Sequence, residues 1–73
     1  MYRLTGRNGL FGFRYQTTDL ALEAKQRYID EHTKHRAGIV QRDFEANGMR
    51  ILFSEAESIA AAQMKAEITV VEG

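Results

Sequence analysis

Two histidines and their acidic neighbours are the first residues in this chain whose spacing could support chemistry. His32 and His35 are three positions apart, directly after Asp30 and Glu31. On a helix this spacing places the two imidazoles at neighbouring positions, where they could share a metal ion. Zinc sites need about three or four protein ligands, however, and the chain has no cysteine and no third histidine. We therefore predict no metal site and no cofactor.

The chain also lacks the residue combinations that covalent and acid–base catalysis need. A cysteine nucleophile is excluded by composition, and both histidines lie within one helical turn of each other. The carboxylates are scattered along the chain, with no matched acid–base pair. Gly6, Gly9 and Gly12 are not followed by the Lys-Ser/Thr pair of a phosphate-binding loop. The sequence predicts a protein that is not an enzyme.

Three arginines are the strongest candidates for binding. Residues 1–16 contain Arg3, Arg7 and Arg14 and no acidic residue, whereas residues 54–73 contain four glutamates and one lysine. The chain is therefore polarised although its formal net charge is 0. If Arg3 and Arg14 face each other across a hairpin, an anion would relieve their repulsion. The alternative is that the arginines only keep a solvated surface soluble.

An Asn-Gly pair predicts the hairpin that would position these arginines. Asn8-Gly9 suits a two-residue type I′ turn, because both residues tolerate positive φ. Pairing the chain about this turn sorts the side chains into an apolar face and a polar face. The apolar face, predicted to be core, holds Tyr2, Leu4, Phe11, Phe13 and Tyr15, and the polar face holds Arg3, Thr5, Arg7 and Arg14.

A second Asn-Gly pair, Asn47-Gly48, predicts a second hairpin over residues 42–53. About this turn Phe44 would face Ile51 on the core side. Glu45 would face Arg50 on the other side, as a cross-strand pair of opposite charge.

Each hairpin is followed by a segment with helix signals. Thr17 and Thr18 offer hydroxyl caps, and a first helix is predicted to run to about His35, with Gly38 past its end. The segment that begins at Ser54 has the capping-box pattern and predicts a second helix to about residue 66. Residues 67–71 are rich in β-forming residues and predict a last strand.

The predicted order is β-β-α-β-β-α-β, in one compact α+β domain over residues 1–73. The sheet should be mostly antiparallel, with the two helices on one face. Two arrangements fit this order: a ferredoxin-like sheet with one strand added at its start, or two ββα units followed by the last strand. Without disulfides or a metal, so short a chain must pack well or form oligomers.

The first helix has apolar residues outside its core-facing stripe. Leu22 and Ile29 project together, away from the arc of Leu20, Ala24 and Tyr28. They are either buried by another element of the chain or exposed as an apolar patch suited to a dimer or another protein.

We expect a small, non-catalytic binding module, in the first place a protein-binding regulator or inhibitor. A complex that handles nucleic acid is one candidate partner. Charged contacts would come from Arg3, Arg7 and Arg14, and apolar contacts from Leu22 and Ile29. The alternatives are a weak nucleic-acid-binding domain that uses the arginine face, and a homodimeric structural accessory protein. With no cysteine, no leader pattern and no membrane span, we expect a cytoplasmic location.

Overall fold

A small antiparallel sheet lies at one end of a long helical hairpin in the computed structural model, which describes residues 1–73. The elements are β1 (Tyr2–Gly6), β2 (Gly9–Tyr15), α1 (Thr18–Ala46), α2 (Phe53–Glu67) and β3 (Thr69–Glu72). Both β2 and β3 pair with β1 in antiparallel fashion, so the strand order is β2-β1-β3. The α+β class is confirmed. The predicted order with five strands is wrong, and with it both arrangements proposed for the sheet.

The hairpin of β1 and β2 forms, with a register that differs near its turn. Tyr2 pairs with Tyr15 and Arg3 with Arg14, as predicted. At the turn, however, Gly6 pairs with Gly9, so the turn residues are Arg7 and Asn8 rather than Asn8 and Gly9. Between the two ends, β2 contains two more residues than β1, which is a bulge opposite Leu4.

The burial of the aromatic residues on β2 differs from the prediction at one position. Leu4 is buried and Phe11 is half-buried against the core. Phe13, predicted to be core, is 73% exposed. The alternation of strand faces assigns Phe13 to the apolar side, but no element of the chain covers it there.

The second hairpin does not form, because residues 42–46 belong to the last turns of α1. The amide of Gly48 donates to the carbonyl of Glu45, and that of Met49 to Phe44, both at 2.9 Å. With Gly48 at φ 77°, these bonds are the Schellman motif that ends many helices. Asn47-Gly48 therefore terminates a helix instead of turning a hairpin, and Gly38 lies inside α1.

Packing against α2 explains why α1 continues past Gly38. Ala37, Val40 and Phe44 recur at helical spacing on the side of α1 that contacts α2. Ala37 and Val40 are buried together with Ala56 and Ala60 of α2. These contacts are available only to a helix, so they outweigh the strand-like alternation of the same segment.

The buried residues form two clusters. The cluster under the sheet consists of Leu4, Ala21, Ile29, Met64 and Ile68, and the distal cluster of Ala37, Val40, Ala56 and Ala60. The second contains only helix residues, so the far half of the helical hairpin has no support from the sheet.

The start of α1 agrees with the prediction, and the start of α2 does not. The hydroxyl of Thr17 accepts a hydrogen bond from the amide of Leu20 at 3.2 Å, so Thr17 caps α1 as predicted. The cap of α2 lies before the predicted position: the carboxylate of Glu55 accepts from the amide of Leu52 at 3.4 Å. Neither helix holds an apolar stretch suited to crossing a membrane.

Candidate binding surfaces

The face of the sheet that carries Leu4 packs against the helices, which leaves the opposite face open. The pairing places two cross-strand rows on that open face. A hydrogen bond of 3.4 Å between the hydroxyls of Thr5 and Thr69 joins the two strands of one row. We call the open face the outer face; its residues are Arg3, Arg14 and Val71 in one row and Thr5, Leu10 and Thr69 in the other.

Arg3 and Arg14 are direct cross-strand neighbours on the outer face. Arg3 donates from Nη2 to the carbonyl of Phe11 at 3.3 Å, and its Nε is buried without a hydrogen-bond partner. Arg14 is exposed, and neither arginine forms an ion pair. The outer face therefore carries two like charges and no carboxylate, which suits an anionic partner.

Arg7 is engaged within the chain. Its Nη2 lies 2.9 Å from the Oε1 of Glu67, at the end of α2. The same carboxylate accepts two hydrogen bonds from Arg36 of α1, each 3.1 Å long. The three predicted arginines thus divide into two on the outer face and one held by an ion pair.

The cluster of Glu67, Arg36 and Arg7 has clear electrostatics. Hydrogen bonding and charge from Arg36, with a smaller contribution from Arg7, lower the pKa of Glu67. The hydrogen bond with Glu67 in turn raises the pKa of Arg36. The carboxylate is therefore ionised at neutral pH and offsets the charge of Arg7, so this cluster attracts an anion less than two free arginines would.

Leu22 and Ile29 do not form one apolar patch. Ile29 is buried with Leu4 and Met64, whereas Leu22 is 51% exposed. The two residues lie seven positions apart on the same side of α1. The last turn of α2 packs beside Ile29, and α2 does not extend as far as Leu22. That end of α1 is therefore left uncovered.

Sequence reasoning missed a groove between β2 and α1. Its volume is about 460 Å³, and the rings of Phe11 and Tyr28 meet inside it at 5.0 Å with a tilt of 59°. The spacing of Ala24 and Tyr28 along α1 predicted that this helix packs against a sheet. It did not predict that one side of the helix is left uncovered. We call this the β2–α1 groove; it is lined by Leu4, Phe11, Gly12, Phe13, Tyr15, Ala24, Arg27, Tyr28 and Glu31.

The histidines occupy ordinary helix positions. The ring of His32 stacks on Tyr28 with centroids 4.0 Å apart, and its Nδ1 lies 2.8 Å from the carbonyl oxygen of Tyr28. No group of three histidine or carboxylate side chains is arranged to hold a metal ion. His32 thus extends the aromatic packing that begins at Phe11.

Comparison with known proteins assigns no family to this geometry. No family model, no curated protein and no solved structure matches the chain.

Proposed function

We propose that this chain is a small, non-catalytic, cytoplasmic module that binds another protein through its outer face. The observation that carries the proposal is the pair of Arg3 and Arg14, which are neighbours on an open sheet face without a carboxylate to balance them. Leu10, 55% exposed, adds an apolar contact beside them. Arginine next to apolar surface is typical of protein interfaces.

An acidic protein surface fits this face better than nucleic acid does. Single-stranded nucleic acid is bound by aromatic rings that lie on the same open face as the cations. Here Phe11 and Phe13 line the β2–α1 groove on the other side of the sheet. Arg7, which would extend the basic surface, is paired with Glu67. A protein that presents carboxylates to Arg3 and Arg14 needs neither feature.

The mode of action that we propose is regulation or inhibition of the partner. The module would cover an acidic surface of its partner and compete with other ligands for it. A complex that handles nucleic acid is one candidate partner. The alternative function is a weak nucleic-acid-binding domain that uses Arg3, Arg7 and Arg14.

A photo-crosslinker at position Leu10 tests the proposal directly in cells. We expect a discrete protein adduct that is lost with Arg14→Glu. Arg42→Glu is the matched control, since Arg42 is an exposed arginine of α1 without an ion pair. An adduct that survives Arg14→Glu as well as Arg42→Glu would show that the outer face is not the binding surface.

Fluorescence anisotropy with labelled single- and double-stranded oligonucleotides tests the alternative function, nucleic-acid binding. We expect no binding at physiological salt. Salt-sensitive binding that is lost in Arg3→Ala/Arg14→Ala and kept in Arg42→Ala would establish nucleic-acid binding instead.

A further inference from the structure

The β2–α1 groove is an apolar surface that no other element covers. No residue of α2 or β3 lines it. Phe13 lies at its edge with 73% of its surface exposed, the largest exposed fraction among the large apolar residues. Leu20, 46% exposed, lies one helical turn before Ala24 and extends the apolar side of α1 beyond the groove. Exposed rings next to a groove are typical of an interface.

The charges at the rim of the groove favour a second copy of the same chain. Arg27 and Glu31 both line the groove, and neither forms an ion pair within the chain. An acidic or a basic partner would satisfy one of these charges and repel the other. A partner that carries the same two residues, related by a two-fold axis, can pair each charge with its opposite.

We propose that a second copy of this chain covers the β2–α1 groove. The two copies dock groove to groove about a two-fold axis, with the Phe13 ring of each entering the groove of the other. Arg27 of each copy pairs with Glu31 of the second. This surface is separate from the outer face, so the dimer presents two outer faces and does not depend on the proposed function.

Sedimentation velocity over a range of protein concentrations tests the dimer. Wild type should sediment with twice the chain mass of 8.3 kDa. Phe13→Glu should raise the dimer dissociation constant about 30-fold or more, because a buried aromatic anchor is lost. Leu52→Glu is the matched control, since Leu52 is 68% exposed at the far end of the molecule and should leave the dimer intact.

A charge swap tests the arrangement with variants that leave the fold alone. Both Arg27 and Glu31 are exposed. Arg27→Glu should weaken the dimer about threefold or more, and Arg27→Glu/Glu31→Arg should restore it. Failure of the double variant to restore the dimer would contradict the proposed pairing.

Cysteine crosslinking tests the contact between the two copies. The chain has no native cysteine. In a mixture of Arg27→Cys and Glu31→Cys chains, a short bismaleimide crosslinker should join the two variants, and Ser58→Cys on the exposed side of α2 should not be joined to either. A monomer at every concentration, or a dimer that is lost with Leu52→Glu and kept with Phe13→Glu, would overturn the proposal.

Discussion

Arg36 and Glu67 form a two-point ion pair, in which Nη1 and Nη2 each lie 3.1 Å from a different carboxylate oxygen. Arg36 is in the middle of α1, and Glu67 is the last residue of α2. Each side chain is only about a quarter exposed, at 25% and 24%. Paired planar groups of this kind fix geometry as well as charge, so this contact favours one register of the two helices.

The ion pair makes the stability of the protein depend on pH in the acidic range. Because Arg36 holds the pKa of Glu67 below its ordinary value of 4.5, the unfolded chain binds a proton there more readily than the folded one. The stabilisation is therefore complete above pH 4.5 and is lost as the pH falls through the lowered pKa. Glu67→Gln should reduce the free energy of unfolding at pH 7, and the difference from wild type should shrink on acidification.

Urea titrations at a series of pH values check this prediction. Glu23→Gln is the control, because Glu23 is exposed on α1 and forms no ion pair. The control should show a small difference from wild type that does not change with pH. If Glu67→Gln also keeps a constant difference from pH 7 into the acidic range, the ion pair does not stabilise the fold.

The two glycines of the α1 region should respond to alanine in opposite directions. Gly48 has φ 77°, so Gly48→Ala should cost about 1–2 kcal/mol of stability. Gly38 lies inside the helix, and a Cβ there meets nothing within 4 Å. Gly38→Ala should therefore gain about 0.5–1 kcal/mol. Thermal unfolding measures both, and a gain from Gly48→Ala would contradict the Schellman ending of α1.

The distal cluster depends on small residues. Ala60 is fully buried between α1 and α2, with Ala37 and Ala56 in the same cluster. Ala60→Leu should force the helices apart and cost about 1–3 kcal/mol. Ala62→Leu places the same side chain on the exposed side of α2 and should change stability by less than about 0.5 kcal/mol. Equal effects of the two substitutions in urea unfolding would mean that the helices do not pack through Ala60.

Gly6 of the hairpin lies against the ring of Phe11. A Cβ at Gly6 would lie 3.0 Å from Cε1 of Phe11, which also packs on Tyr28. Gly6→Ala should cost about 1 kcal/mol, because the ring has to move within the core. In a Phe11→Leu background the clash is removed, so the same substitution should cost less. A double-mutant cycle that shows no coupling would contradict this contact.

Local signals predicted the first hairpin and the start of α1 because each rests on neighbouring residues. The cap at Thr17 needs only Leu20. The hairpin predicted at Asn47-Gly48 was wrong because a glycine with positive φ is found both in hairpin turns and at helix ends. What decided between them was burial of Ala37 and Val40 against α2, a contact that the local pattern does not contain.

For the candidate binding surfaces too, the sequence predicted what depends on neighbouring residues and not what depends on distant contacts. The sequence predicted that Arg3 and Arg14 face each other, because that pairing follows from the hairpin alone. It did not predict the exposure of Phe13 or the separation of Leu22 from Ile29. Those depend on where α2 ends and which side of the sheet it leaves uncovered, and helical or strand periodicity carries no information about either.

The antiparallel pairing of β1 with β3 also decides how the molecule bears force. Tyr2 lies opposite Glu72, and the amide of Gly73 donates to the carbonyl of Met1 at 2.9 Å. Residues 1 and 73 therefore lie at the same end of this strand pair. A load that pulls them apart acts on the inter-strand hydrogen bonds one after another and not on all of them at once. We therefore expect β3 to separate from β1 before the rest of the sheet opens under such a load.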